Sequence, residues 1–400
     1  MVDDYAFGER VRLTQRQGSR DSSARCRRAC WWLWTGILCL ALAGSAVGQP
    51  ATQASVVAIP RDAGSGLDSF FVLDLRNGAV ARIDQLRRDA LRGRLRRLTQ
   101  NLFQEIGRPQ NQPAAVNEIF VRPLHDVNRN ARSAIFVETS TGYVVYFEQL
   151  GRGSTFGRIT TVIGRPFADI AAPDGRFALL MRQGNNGRTE GAYLYHASTG
   201  RALYFGGLAK LEIDPTMVTL SGLPTLAGQV TAAELQSDDE ETIAFLVADS
   251  SDGSMRYFDL DPDAASRVTV RESPLSLFPT FNEASKNPSP QRFVAVPVQG
   301  ANDNTEHVFF IDVGNGETAL LENVNNTSRP VMRKLPLNLY SVLRTDASEV
   351  PRTVSAVPRI ASNGATTGIW LIDSVTRAIA FVDDPGTPGD TTLRRVVPEN

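Results

Sequence analysis

The chain has 400 residues, enough for two ordinary domains or for one large β architecture, and its 42% hydrophobic and 21% charged residues are ordinary globular values. A formal net charge of −1 gives no electrostatic reason to expect nucleic acid as a partner. All three cysteines, Cys26, Cys30 and Cys39, lie near the N-terminus, so disulfides, thiolate metal sites and cysteine nucleophiles are excluded from everything downstream.

The first 48 residues read as a secretory signal peptide with a long n-region. Arg25, Arg27 and Arg28 precede a charge-free run from Trp31 to Ala43 that is too short to span a bilayer comfortably. Small residues follow, with Ala46 and Gly48 placed for a cut before Gln49. Cys39 lacks the small preceding residue of a lipoprotein site, and a retained anchor is the competing reading of the segment. The expectation is an exported protein, periplasmic or extracellular, whose mature domain spans residues 49–400. Cleavage removes seven arginines and four acidic residues and leaves a net charge of about −4.

Next along the chain, residues 83–106 carry Ile83, Leu86, Ala90, Leu91, Leu95, Leu98, Leu102 and Ile106 at helical spacing. Arg87, Arg88, Arg92, Arg94, Arg96 and Arg97 fall on the opposite face. The pattern predicts an inserted amphipathic helix, flawed at Gly93. The bland reading packs its apolar stripe on the ring. The sharper one makes those arginines a docking surface for an acidic partner, or for peripheral contact with anionic lipid.

The rest of the chain beyond the leader is β-like and repetitive. Hairpins recur around Asp74, Glu138, His196, Asp259, Asp312 and Asp373, separated by 64, 58, 63, 53 and 61 residues, a period of about 60. Between consecutive hairpins lie two further apolar runs, such as "RITTVIG" and "RFALLM" before the third. Four strands per period make the blade of a β-propeller, and six periods imply six blades of four antiparallel strands. Seven or eight blades, at a period near 42 in the latter case, are the alternative, with "AKLEIDPTMVTLSGLPTLAG" supplying an extra blade. The first repeat is one strand short, and "TLRRVVP" at the C-terminus is expected to complete it and close the ring.

The hairpin "YLYHASTG" resembles the Y-x-Y-D-x-x-T-G hairpin of YVTN-type and quinoprotein-like propellers, and "APDGRFALL" is similar to a hairpin common to them and to WD-like propellers. The likeness implies a fold and a turn chemistry, with Gly175 and Gly200 free to take positive φ, and implies no substrate. Arg377 stands where the sixth turn should have glycine.

Catalytic and metal signatures are sparse. His125, His196 and His307 are far apart, and an ordinary structural role is weighed for each against metal ligation or general base work. "DLDPDA" has Ala264 where a calcium loop needs glycine and reads as a turn; "VADSSDGS" fails the spacing of a sialidase Asp-box. Asp238, Asp239, Glu240 and Glu241 form a solvated acidic loop. No hydrolase, nucleotide or zinc motif is present, so catalytic residues are unassigned and no cofactor or metal is expected. The leading expectation is a monomeric, non-catalytic propeller that binds a protein or cell-envelope ligand through loops such as 182–190, 282–291, 300–306 and 323–330. The alternative is a hydrolase or lactonase with its site in the central channel, which needs several titratable groups converging there.

Overall fold

The structure is a computed structural model that describes residues 56–396, apart from 63–66, 88–91, 115–117, 128–129, 152–154, 173–175, 209–216, 265, 282–291, 326–328 and 345–351. The segment expected to be a signal peptide, Arg88, Gly175, the 282–291 loop and part of the 323–330 loop lie outside the described residues.

Six four-stranded antiparallel sheets follow one another along the chain as the blades of a propeller, each built from four consecutive strands. Blade 1 holds β1 (Val56–Asp62), β2 (Leu67–Asp74), β3 (Ala79–Arg87) and β4 (Arg92–Asn101); blade 2 holds β5 (Ile119–His125), β6 (Ala131–Glu138), β7 (Tyr143–Glu148) and β8 (Arg158–Gly164). Blade 3 is β9 (Phe177–Gln183), β10 (Thr189–His196), β11 (Arg201–Phe205) and β12 (Met217–Leu220), and blade 4 is β13 (Val230–Gln236), β14 (Thr242–Asp249), β15 (Ser254–Leu260) and β16 (Val268–Ser276). Blade 5 is β17 (Phe293–Gln299), β18 (Thr305–Asp312), β19 (Glu317–Glu322) and β20 (Val331–Asn338), and blade 6 is β21 (Val354–Ile360), β22 (Thr366–Asp373), β23 (Ile379–Asp383) and β24 (Thr392–Val396).

Second strands such as "AIFV" and "VFFI" are apolar at every position because both faces of a blade are buried. In β6, Ala134 and Phe136 pack towards blade 1 while Ile135 and Val137 pack towards blade 3. Six such clusters fill the spaces between neighbouring blades, the last bringing Val56 and Phe70 of blade 1 against Trp370 and Phe381 of blade 6. Burying two faces per strand supplies the core that a disulfide would otherwise support.

Three expectations are corrected here. The helix over 83–106 is instead the hairpin β3–β4, followed by one helical turn, α1 (Leu102–Glu105). Val80 and Ile83 are buried on opposite faces of β3, towards blades 2 and 6, and β4 fills the outer place of blade 1; pairing outweighs the helical propensity of the arginines. With blade 1 thus complete, the C-terminal strand β24 pairs with β23 inside blade 6 and does not cross to blade 1. Finally, the fourth hairpin centres on Asp249, not Asp259. Asp249 pairs with the first residue of its inner strand, as Asp74, Glu138, His196, Asp312 and Asp373 do with theirs.

The turn after each second strand reaches a left-handed residue: Gly78, Gly142, Gly200, Gly253, Gly316 and, in blade 6, Arg377 with φ 57°. Where a short helix follows the outer strand, its aromatic side chain covers that glycine. Phe103 of α1, Phe278 of α2 (Phe278–Phe281) and Tyr340 of α3 (Leu339–Leu343) each sit where a Cβ on Gly78, Gly253 or Gly316 would collide.

Candidate functional site

The channel is made by the inner strands β1, β5, β9, β13, β17 and β21, each seven residues long. An inner strand has a sheet partner on one side only, so every second residue turns its backbone N–H and C=O away from the blade. At the seventh position these groups latch the ring together. The N–H of His125 donates to Thr189 Oγ1 of the next blade at 3.0 Å, and those of Gln183, Gln236 and Gln299 donate to Thr242, Thr305 and Thr366 Oγ1 at 2.9 Å. A register shift precedes this position in all six blades and sets the amide at the angle the latch needs.

At the fifth position the problem is removed, since Pro60, Pro123, Pro297 and Pro358 have no N–H to satisfy. Blade 3 has Met181 there, and its N–H donates to the Glu234 carboxylate of blade 4 at 3.4 Å. The seventh side chains also join hands. Gln299 donates to Gln236, Gln236 to Gln183, and Gln183 Nε2 lies 3.2 Å from His125 Nδ1.

The opposite mouth, at the N-terminal ends of the inner strands, opens into a pocket. The ring of polar residues there is consumed in local structure. Asp249 accepts from the N–H groups of Ala227 and Gly228 at 3.0 and 2.9 Å, and Asp312 from Gly314 N–H at 2.8 Å. Glu138 pairs with Arg108 at 2.5 Å, Asp74 with Arg76 at 2.6 Å and Arg377 at 3.0 Å, and Asp373 lies 3.7 Å from Arg352.

Inside this mouth lies a channel of about 160 Å³ lined by the first residues of all six inner strands, Ala58, Ala178, Ala232, Ala295 and Ala356 among them. Hydroxyls come from Thr231, Thr353 and Ser355, and Arg122, the fourth residue of β5, is the one charged side chain among the described lining residues. Neighbouring inner strands lie against each other around the ring except β5 and β9, which stand further apart beside Arg122.

The residues singled out from the sequence do not converge. Arg87, Arg92, Arg94, Arg96 and Arg97 are strand residues of the β3–β4 hairpin on the outer rim of blade 1; Arg87 and Arg92 are backbone partners, and Arg96 Nε is 3.5 Å from the buried Asp84. The histidines sit in three different blades. His125 ends the glutamine chain. His196 stacks on Phe177 at 4.4 Å with Nε2 3.1 Å from Ser198 Oγ. His307 is buried enough to lower its pKa, against the weaker opposing pull of Glu306 and Glu322. Among the described residues no group of three or more His, Cys, Asp or Glu is placed to hold a metal.

The "DLDPDA" segment is the expected turn, Asp261 accepting from Asp263 N–H at 2.9 Å while Asp259 pairs with Arg271. In the acidic loop Asp238 and Asp239 are exposed, and Glu241 is 3.8 Å from Arg182. Burial raises the phenols of the tyrosines between blades 3 and 4, that of Tyr193 to about 12, so they serve there as neutral packing groups. Arg122 and the glutamine chain were not foreseen. A signal for the chain exists in the recurrence of Gln-x5-Thr at Gln183, Gln236 and Gln299.

No protein-family profile matches the chain, and no curated protein sequence does. Among solved structures it is similar to a proposed 6-phosphogluconolactonase of Bacteroides uniformis, at 12% identity and TM-score 0.46 over 86% of this chain and 85% of that one. It is also similar to the WD40 domain of Toxoplasma gondii coronin, at 11% identity and TM-score 0.37 over 87% and 70% of the two chains. The periplasmic gluconolactonase of Pseudomonas aeruginosa matches at 14% identity and TM-score 0.35 over 67% and 66%. These likenesses are of fold alone.

Proposed function

We propose that the chain is an exported, non-catalytic propeller that acts as a binding module for a protein or cell-envelope ligand. The observation that carries this reading is the chemistry of the channel wall, which is apolar or neutral at every described lining position but Arg122. Acid–base hydrolysis needs a proton donor and acceptor facing one reacting bond. A guanidinium does not give up its proton near neutral pH. The described carboxylates at the mouth of this channel each cap a turn or lie beside an arginine. Export rests on the leader, with its arginines, its short apolar core and the small residues before Gln49.

The test is to express the whole chain in a Gram-negative host, recover it from the periplasm and assay it. The expected product starts at Gln49 and hydrolyses δ-gluconolactone no faster than buffer, with or without added Ca²⁺ or Zn²⁺. Saturable lactone turnover would overturn the binding-module reading, and product confined to the cytoplasm would overturn export.

A further inference from the structure

We propose that the open mouth of the channel is a binding site for a single oxyanionic group, a carboxylate above all, held by Arg122. This deepens the binding-module reading and rests on it for the channel being a surface that holds a ligand and does not transform it.

The repeat makes Arg122 conspicuous. The fourth residue of the other inner strands is Ile59, Leu180, Ala233, Val296 or Val357, all apolar. A cation has replaced a hydrophobe on the channel wall, and it stands exposed to the channel where its counterparts in the other blades are buried. The other arginines of the inner strands have evident structural duties. Arg61 donates to Leu150 O at 3.1 Å, Arg182 to Pro262 O at 3.0 Å and Arg359 to Thr367 Oγ1 at 2.7 Å. The Arg122 side chain makes no hydrogen bond or ion pair with any described residue, although it lines the channel and is accessible from it.

A second group points the same way. Thr353, immediately before β21 and also on the channel wall, is only 2% exposed, and its Oγ1 is buried without a hydrogen-bond partner. Such an orphan hydroxyl is destabilising unless something completes it. The third residues of the inner strands add backbone. By the alternation that turns the fifth and seventh residues away from the blade, their N–H groups face the channel as well, and alanine at Ala58, Ala232, Ala295 and Ala356 leaves the main chain approachable.

A guanidinium fork suits a carboxylate, which accepts two parallel bonds from arginine, and the same wall carries hydroxyl and amide groups. At about 160 Å³ the space is below the ~300 Å³ at which pockets for drug-sized molecules begin, so it suits a small ligand. That ligand is either a small carboxylic acid or the acidic end of a partner chain entering the mouth.

Isothermal titration at low ionic strength separates these sources, using succinate, inorganic phosphate and a tetraglutamate peptide as probes. Wild-type protein is expected to bind at least one probe saturably with Kd below about 1 mM, and preference between succinate and peptide identifies the source. Arg122→Gln and Arg122→Met should weaken binding at least tenfold, and Thr353→Val about threefold, while Tm stays level or rises because Arg122 has no partner to lose. Absence of saturable binding for all three probes, or undiminished binding by Arg122→Met, would overturn the site. Lactone turnover is read in a separate assay, so a failure of the non-catalytic reading is distinguishable from a failure of this one.

Discussion

From blade 2 to blade 6, each junction between neighbouring blades carries the same polar latch, a backbone N–H at the end of one inner strand donating to a threonine at the start of the next second strand. The two junctions around blade 1 lack it. There the donor positions are Ile360 and Asp62 and the acceptor positions are Leu67 and Ala131, which have no hydroxyl to offer. Blade 1 is held to blade 6 by bulk, Trp370 packing 4.4 Å from Phe381 and 6.3 Å from Phe70, with Ser355 Oγ donating to Val56 O at 2.6 Å. It is held to blade 2 by long polar side chains, Arg82 reaching Gly151 O at 2.7 Å and Gln100 accepting from Phe156 N–H at 2.9 Å. A repeated module can reuse one local bond wherever like meets like. The place where the two ends of the chain meet has only contacts particular to itself.

The sharpest way to break this contrast is at the closing junction. Trp370 is fully buried, so Trp370→Ala should cost about 3–5 kcal/mol by lost burial and an unfilled cavity. Trp370→Phe should cost clearly less, because the indole Nε1 has no hydrogen-bond partner to lose. Urea unfolding of the two variants checks both; a loss below about 1 kcal/mol for alanine would mean that closure is carried elsewhere.

A polar counterpart exists in the latched region. Thr305 is fully buried and accepts from Gln236 N–H, so Thr305→Val keeps the shape and strands a buried amide, at a cost of about 1–3 kcal/mol. Thr305→Ser retains the oxygen and should recover much of that loss. Faster exchange of the Gln236 amide in the valine variant, measured by hydrogen exchange, would place the damage at the latch itself.

The contrast also explains what was legible beforehand. Strand-rich hairpins at a period of about 60 announced six blades because a second strand buried on both faces must be apolar throughout, as "AIFV" and "VFFI" are. Blade 1 was misread because its outer hairpin is rich in arginine, with Leu95 44% exposed, so that little strand alternation survives while leucines happen to fall at helical spacing. The error then propagated, since a blade thought one strand short called for the C-terminal strand that in fact belongs to blade 6. Blade 4 was shifted by one hairpin because "FDLD" imitates the end of a second strand, whereas the true end, Asp249, is followed by a turn reaching Gly253. The channel was hidden for a different reason. Arg122 is unremarkable in "FVRPL" and becomes informative only when the fourth residues of all six inner strands are compared.

Arg377 offers the finest test, because at that one position the closing junction and the repeat make opposite demands. The turn asks for glycine, and Arg377 holds φ at 57°, a conformation that costs an L-residue with a side chain about 1–2 kcal/mol. In return its guanidinium reaches from blade 6 to Asp74 of blade 1 at 3.0 Å. That arginine side chain is 58% exposed, and an ion pair so open to solvent contributes at most about 1 kcal/mol. Asp74 also keeps Arg76 at 2.6 Å when Arg377 is gone, so no carboxylate is left stranded. Relief of the backbone should therefore outweigh loss of the pair, and Arg377→Gly is expected to be stabilising by up to about 1 kcal/mol, with the gain larger at high salt relative to wild type because screening has already weakened the pair. A measured loss of stability would assign Arg377 to closing the ring, and the junction would then depend on charge as well as on Trp370.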